Sequence, residues 1–227
     1  MSEIVEIPQS LSPVRKAWRA LRLLVQPALA RKLGTLITDG YLADIGWVRS
    51  VREDAIIDAR GEPLPWATYP FIDFLGPRLQ PGWRVFEYGA GASTVYFARR
   101  VKAVTAVEHD ELFAARLRPE LPVNASLLVR AAGSESYALA LMECAPAPDI
   151  VVVDGVDREQ CIQAALDRLP PAAVLVLDDA ERAEYATSIA QLKNKGFRVV
   201  EFWGLAPGLV RRKCTAIFYR RDNVLGL

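Results

Sequence analysis

Two kinds of hydrophobic pattern divide the chain near residue 60. Between residues 11 and 38, apolar positions such as Trp18, Leu21, Leu24 and Val25 recur at spacings of three and four, which predicts helix. Pro27 removes a backbone donor and should break that stretch into two shorter helices. After the Gly/Pro joint at residues 61–65 (GEPLP), short apolar runs rich in Val and Ile alternate with amphipathic stretches. The runs are Arg84–Tyr88, Ala103–Val107, Ser126–Val129, Ile150–Val153, Val174–Leu177, Phe197–Phe202 and Thr215–Tyr219.

Runs of this length and composition read as strands buried on both faces, and helical stretches separate the first six. Ile162, Leu166 and Leu169 give the fourth crossover its helical spacing, with Asp157 and Gln160 placed for a capping box. The last two runs are joined by Gly204–Arg212, too short for a helical crossover, so they should pair as an antiparallel hairpin. The expected fold is α/β: a Rossmann-like, doubly wound, seven-stranded sheet with an antiparallel last strand. Residues 1–60 then form an N-terminal helical extension and residues 61–227 the main domain.

With 227 residues, of which 52% are hydrophobic and 24% charged, the chain can bury a substantial core. A net charge of +1 argues against a protein that binds nucleic acid over its whole surface. Three dispersed cysteines fit reduced thiols, and the single histidine excludes multi-histidine metal sites. With no membrane-length apolar run and an acidic start, MSEIVEIPQS, the expectation is a cytoplasmic protein without stable membrane insertion. Charge is nevertheless lopsided in the extension: Arg15, Lys16, Arg19, Arg22, Arg31 and Lys32 occur with no acid between Glu6 and Asp39. That pattern fits either a solvated face of helices packed on the main domain, which would bury Trp18, or a surface for lipid or an acidic partner. The packed arrangement, shaping a substrate entrance, is the expected one.

The chemistry begins where the first strand ends, in VFEYGAGAST (residues 85–94). Gly89 and Gly91 allow a tight turn and close approach to a ligand, and Ser93 or Thr94 can cap the next helix. The dinucleotide fingerprint needs a third glycine at the position held by Thr94, and Glu87 would repel a pyrophosphate while suiting a cationic amino group. A nicotinamide-dependent oxidoreductase is therefore disfavoured. Glu108 closes the second strand 19 residues after Gly89, the right place for a carboxylate that accepts both ribose hydroxyls. A ribose, a cationic amino-acid end and no pyrophosphate together describe S-adenosylmethionine.

On these residues the sequence resembles the class I S-adenosylmethionine-dependent methyltransferases over roughly residues 66–220. Within them, WATYPFIDFL, VFEYGAGAST, VEHD and VVVDGVDREQC…VLVLDD look like a bacterial subgroup close to sugar and natural-product O-methyltransferases. The resemblance implies methyl transfer to a small hydroxylated molecule, the alternative being a methyltransferase-like scaffold without turnover. It also implies cofactor contacts from Glu87, Gly89, Gly91, Ser93, Glu108 and Asp154, with His109 against the adenine and Ser134 near its amino group. Tyr69 is a candidate to close over the cofactor or, equally, a packed residue.

Asp154 ends the fourth strand and Asp178-Asp179 the fifth, on the same sheet edge as the glycine loop. Three converging carboxylates need a cation or a proton between them. The arrangement is similar to the magnesium site of catechol-type O-methyltransferases, which makes Asp154, Asp178 and Asp179 candidate metal ligands. Asp179 stands in place of an asparagine, and Asp157 in place of a lysine base. The other reading is that Asp178 or Asp179 caps a helix and Asp154 alone faces the substrate. In either case Asp154 is the candidate catalytic base, with His109 a weaker alternative.

Overall fold

The computed structural model describes residues 12–23 and 26–227. Leu24, Val25 and the acidic start of the chain lie outside the described residues. By its internal contacts the chain forms two compact units, Met1–Asp44 and Ile45–Leu227. The first holds α1 (Pro13–Leu23), α2 (Pro27–Thr38) and the short α3 (Tyr41–Asp44). Pro27 stands at the start of α2, where its missing N–H is no loss. Trp18, expected to be buried, is 61% exposed.

Residues 45–60, assigned to the extension on sequence, fold with the second unit. They contain α4 (Trp47–Glu53), and Ile57 bridges to Pro63. The Ser50 hydroxyl donates to the Ile57 carbonyl at 2.7 Å, and the Trp47 indole donates to the Leu209 carbonyl at 2.7 Å. The remainder alternates as expected: α5 (Tyr69–Leu75), β1 (Arg84–Tyr88), α6 (Ala92–Ala98), β2 (Ala103–Glu108), α7 (Glu111–Leu117), β3 (Ala125–Val129), α8 (Glu135–Ala138), β4 (Ile150–Val153), α9 (Arg158–Arg168), β5 (Val174–Asp178), α10 (Ala186–Asn194), β6 (Arg198–Gly204) and β7 (Lys213–Tyr219).

The seven strands form one sheet in the order β3-β2-β1-β4-β5-β7-β6, all parallel except β7. Strand order reverses between β1 and β4, which opens a crevice at their carboxyl ends, where ligands bind in sheets of this kind. Because β7 runs against β5, the amino end of β7 lies on that same edge: Asp178 is paired with Thr215 and Gly204 with Lys213.

Alternation along each strand divides the core into two layers. Val85, Val152, Val176 and Ile217 face α5 and α6, with Phe71, Leu75 and Phe97. Phe86, Val151, Leu175 and Phe218 face the other way, against Ile162 and Ala165 of α9 and Leu192 of α10. Cys161 is buried in that second layer as a small apolar residue.

Candidate functional site

The same alternation sets the site. Glu87 is two residues beyond Val85, Asp154 two beyond Val152, and Asp178 two beyond Val176, so all three carboxylates lie on the α5/α6 face. Pairing of Glu87 with Val152 and of Val153 with Leu177 then sets Asp154 and Asp178 side by side at the edge.

Between β1 and α6 the backbone turns at Gly89, whose φ of 90° lies in the left-handed region. A Cβ there would come 2.8 Å from Gly155 Cα, backbone that cannot yield, so Gly89 is required both by its φ and by the close approach of two strand ends. Gly91 has an extended φ of 172°, and a Cβ there would meet open space. Its N–H donates to Thr94 Oγ1 at 3.1 Å, so Thr94 closes the first turn of α6 in place of a third glycine.

Glu87 is 1% exposed, and its Oε2 has no hydrogen-bond partner. Burial pushes its carboxyl up to about 7, against the lowering effect of hydrogen bonds from Thr94 and Ser93. A buried acceptor left open in this way is costly unless a ligand completes it. A cationic amino group of S-adenosylmethionine fits that requirement.

Glu108, one strand over, accepts from the amides of Ala90 at 3.2 Å, His109 at 2.8 Å and Asp110 at 2.9 Å. Its carboxylate therefore ties the glycine loop to the end of β2 before any ligand hydroxyl is considered. His109 Nδ1 lies 2.8 Å from Glu108 Oε1, with its ring half-exposed at the rim. Beyond β3, Ser134 caps α8: its Oγ accepts from the Tyr137 amide at 3.2 Å and donates to the Ala131 carbonyl at 2.6 Å. Asp157 does not cap α9 as expected. It sits at a φ of 51°, and its carboxylate accepts the Gly133 amide at 2.6 Å, joining the loops after β3 and β4. Ser134, Gly133 and Asp157 share one wall of a cavity of about 380 Å³. Tyr69 is buried in the α5 layer, where its amide donates to the Leu205 carbonyl at 2.8 Å.

The metal expected at Asp154, Asp178 and Asp179 does not fit, because side-chain cations already occupy the cluster. Lys213 Nζ pairs with Asp178, lies 2.6 Å from Asp179 Oδ1, and reaches the Trp66 carbonyl at 3.4 Å. Arg158 contacts Asp154 Oδ1 at 3.0 Å and Asp179 Oδ2 at 3.4 Å, and donates to the carbonyls of Gly155 at 2.9 Å and Asp178 at 2.5 Å. Arg182 pairs with Asp179 from outside, and the Thr215 hydroxyl donates to Asp178 Oδ1 at 2.7 Å. No group of three potential ligand residues able to hold a metal occurs among the described residues. Burial alone would lower the Lys213 pKa, but Asp178 and Asp179 more than offset it, so the ammonium is held charged.

Asp154 differs from its neighbours. Its side chain is 29% exposed, and burial together with the charge of Asp178 pushes its carboxyl well above the usual range. Arg158 and Lys213 pull the other way without cancelling the effect. The cluster is thus a neutralised base with one carboxyl of raised proton affinity opening outward.

Sequence reasoning missed Arg158 and Lys213. For Lys213 there was a signal: a single lysine beginning an otherwise apolar strand, Lys213–Tyr219, one residue before a cysteine that ends up buried. Trp66 donates to the Pro207 carbonyl at 3.1 Å beside Lys213, whereas Trp203 pairs in register with Cys214 and projects from the opposite face.

This strand order and edge geometry define the Rossmann-like fold of the class I S-adenosylmethionine-dependent methyltransferases. Among solved structures, a precorrin-6y C5,15-methyltransferase from Geobacter metallireducens GS-15 is similar at 18% identity, with a TM-score of 0.53 over 66% of this chain and 87% of that one. A precorrin 8w decarboxylase from Methanobacterium thermoautotrophicum is similar at 22% identity, with a TM-score of 0.51 over 74% of this chain and 97% of that one. Comparison with protein-family models gives no match, and neither does comparison with curated proteins.

Proposed function

We propose that the protein is an S-adenosylmethionine-dependent methyltransferase that methylates a hydroxyl of a small molecule such as a sugar or natural product. The observation that carries this reading is Glu87, a buried carboxylate with an open oxygen beneath the glycine turn. When bound, S-adenosylmethionine supplies a methyl group on a positively charged sulfur. Glu87 would hold its ammonium group and Glu108 its ribose hydroxyls. Gly89, Gly91 and Ser93 would line the amino-acid end, and His109 and Ser134 the adenine.

Asp154 would take the proton of the attacking hydroxyl, which its raised proton affinity suits. Arg158 and Lys213 hold the neighbouring carboxylates in place, so the base works without a divalent ion. The residual task is alignment of nucleophile and methyl, worth on the order of 7–11 kcal/mol in well-oriented reactions.

The test pairs calorimetry with S-adenosylhomocysteine and transfer of labelled methyl groups to a panel of hydroxylated small molecules. Binding that is lost in Glu87→Gln, and transfer that is lost in Asp154→Asn, are expected. Absence of binding to the wild-type protein would refute the proposal. Binding without transfer to any hydroxyl substrate would leave the scaffold reading.

A further inference from the structure

We propose that Asp157 selects the adenine of S-adenosylmethionine by accepting a hydrogen bond from its exocyclic amino group. This rests on the cofactor reading above, and strand order gives the base its direction. β1 lies beside β2, and β2 beside β3. At their carboxyl ends the Arg130 amide donates to the Glu108 carbonyl at 3.0 Å. A cofactor with its ammonium at Glu87 and its ribose at Glu108 therefore carries its base toward the loop after β3. Gly133 and Ser134 stand in that loop, on the wall of the cavity of about 380 Å³ that also includes Asp157 and Gln160.

Ser134, expected near the amino group, has its hydrogen-bonding capacity filled. A hydroxyl has one donor and two acceptor lone pairs. Ser134 Oγ donates to the Ala131 carbonyl at 2.6 Å and accepts from the Tyr137 amide at 3.2 Å. It also lies 2.9 Å from Ser136 Oγ, which must then be the donor. Asp157 is the opposite case. Its backbone, at a φ of 51° and a ψ of 36°, is in the left-handed conformation that Asp and Asn tolerate and most residues avoid. Non-glycine residues held in that region cluster at ligand sites. In place of a cap on α9, the side chain reaches the loop after β3, where Oδ2 accepts the Gly133 amide at 2.6 Å. A carboxylate offers about four acceptor sites and this bond uses one, so the group is fixed in place with capacity to spare. An amino group can donate to such an oxygen. A carbonyl at the same ring position would set two acceptors against each other. Glu135 lines the same cavity on a longer side chain and serves as the control.

The experiment is titration calorimetry of the full chain with S-adenosylhomocysteine and with S-inosylhomocysteine, in which a carbonyl replaces the amino group. Wild-type protein should bind S-adenosylhomocysteine at least about tenfold more tightly. Asp157→Asn should bring the two affinities within about threefold of each other, because its amide can accept from Gly133 while offering a donor to the carbonyl. Asparagine tolerates the left-handed backbone, so thermal unfolding should stay near that of the wild type. Glu135→Gln should keep the wild-type ratio. A merely structural role for Asp157 would weaken both ligands alike and leave the ratio unmoved, and that result would overturn the proposal. So would a ratio lost in Glu135→Gln, or wild-type protein that binds both ligands equally; either outcome leaves the cofactor reading standing. Wild-type protein that binds neither ligand would bring down both. Should Asp157→Asn fail to fold, the wild-type ratio and Glu135→Gln still decide.

Discussion

Glu87 illustrates how a single side chain can link proton binding to ligand binding. Its folded pKa of about 7 lies above the ordinary 4.5 because burial disfavours the charged form. The folded protein therefore binds more protons than the unfolded one between those values. Stability contributed by the neutral form is complete below about 4.5 and is lost as pH rises through about 7. Ligand binding has the opposite slope, because an ammonium needs the carboxylate. Affinity for S-adenosylhomocysteine should rise with pH up to about 7, by as much as tenfold per unit, and level off above it. Glu87→Gln should bind weakly at every pH, and calorimetry across pH 5–8 checks both statements. Asp154 gives a second prediction at this scale. Turnover should require its ionised form and increase with pH, Asp154→Asn should abolish it, and a chelator should leave the wild-type rate unchanged. Loss of activity with chelator would return a metal to the cluster.

Among the elements, the turn from β1 to α6 is the least tolerant of change. Gly89→Ala combines a left-handed φ with a clash against Gly155 backbone, and it should cost at least about 2 kcal/mol. Thermal unfolding should show a fall of several degrees, with cofactor affinity falling too because the Ala90 amide on Glu108 moves with the turn. Gly91→Ala, at an extended φ and facing open space, should leave stability within about 0.5 kcal/mol and affect only ligand binding. At this scale most strands were legible, because β1, β4 and β5 are short apolar runs buried on both faces. Their ends were less so: β7 begins at Lys213 and not at Thr215, since a lysine held by two buried aspartates can sit where hydropathy alone predicts loop. The Asp157 cap failed for a related reason. The side chain found a partner 24 residues away, in the loop after β3, where a local pattern could not anticipate it.

At the largest scale, the unit Ile45–Leu227 is stitched across its sheet edge by an ion network. Lys213 on β7, Arg158 at the start of α9 and the two aspartates ending β5 connect elements far apart in sequence. Lys213→Met would leave Asp178 and Asp179 facing each other in a buried setting, and it should destabilise the protein by about 3–5 kcal/mol. Adding Asp178→Asn should recover part of that loss, as a double-mutant cycle by denaturant unfolding would reveal. Equal loss in the single and double variants would show that the network is not what holds this edge.

The chain's own pattern determined the alternation of strand and helix, the glycine turn with its preceding acid, and the acids ending the second, fourth and fifth strands. These follow from local rules: period-two burial, the freedom of glycine at positive φ, and the spacing from Gly89 to Glu108. Whether the three aspartates meet a metal, a proton or a side-chain cation was decided only in three dimensions. Insertion of β7 between β5 and β6, running backwards, carries Lys213 to the carboxyl edge 35 residues from Asp178, and α9 turns Arg158 into the same cluster. Charge compensation is a property of distance in space, and no local spacing in the sequence encodes it.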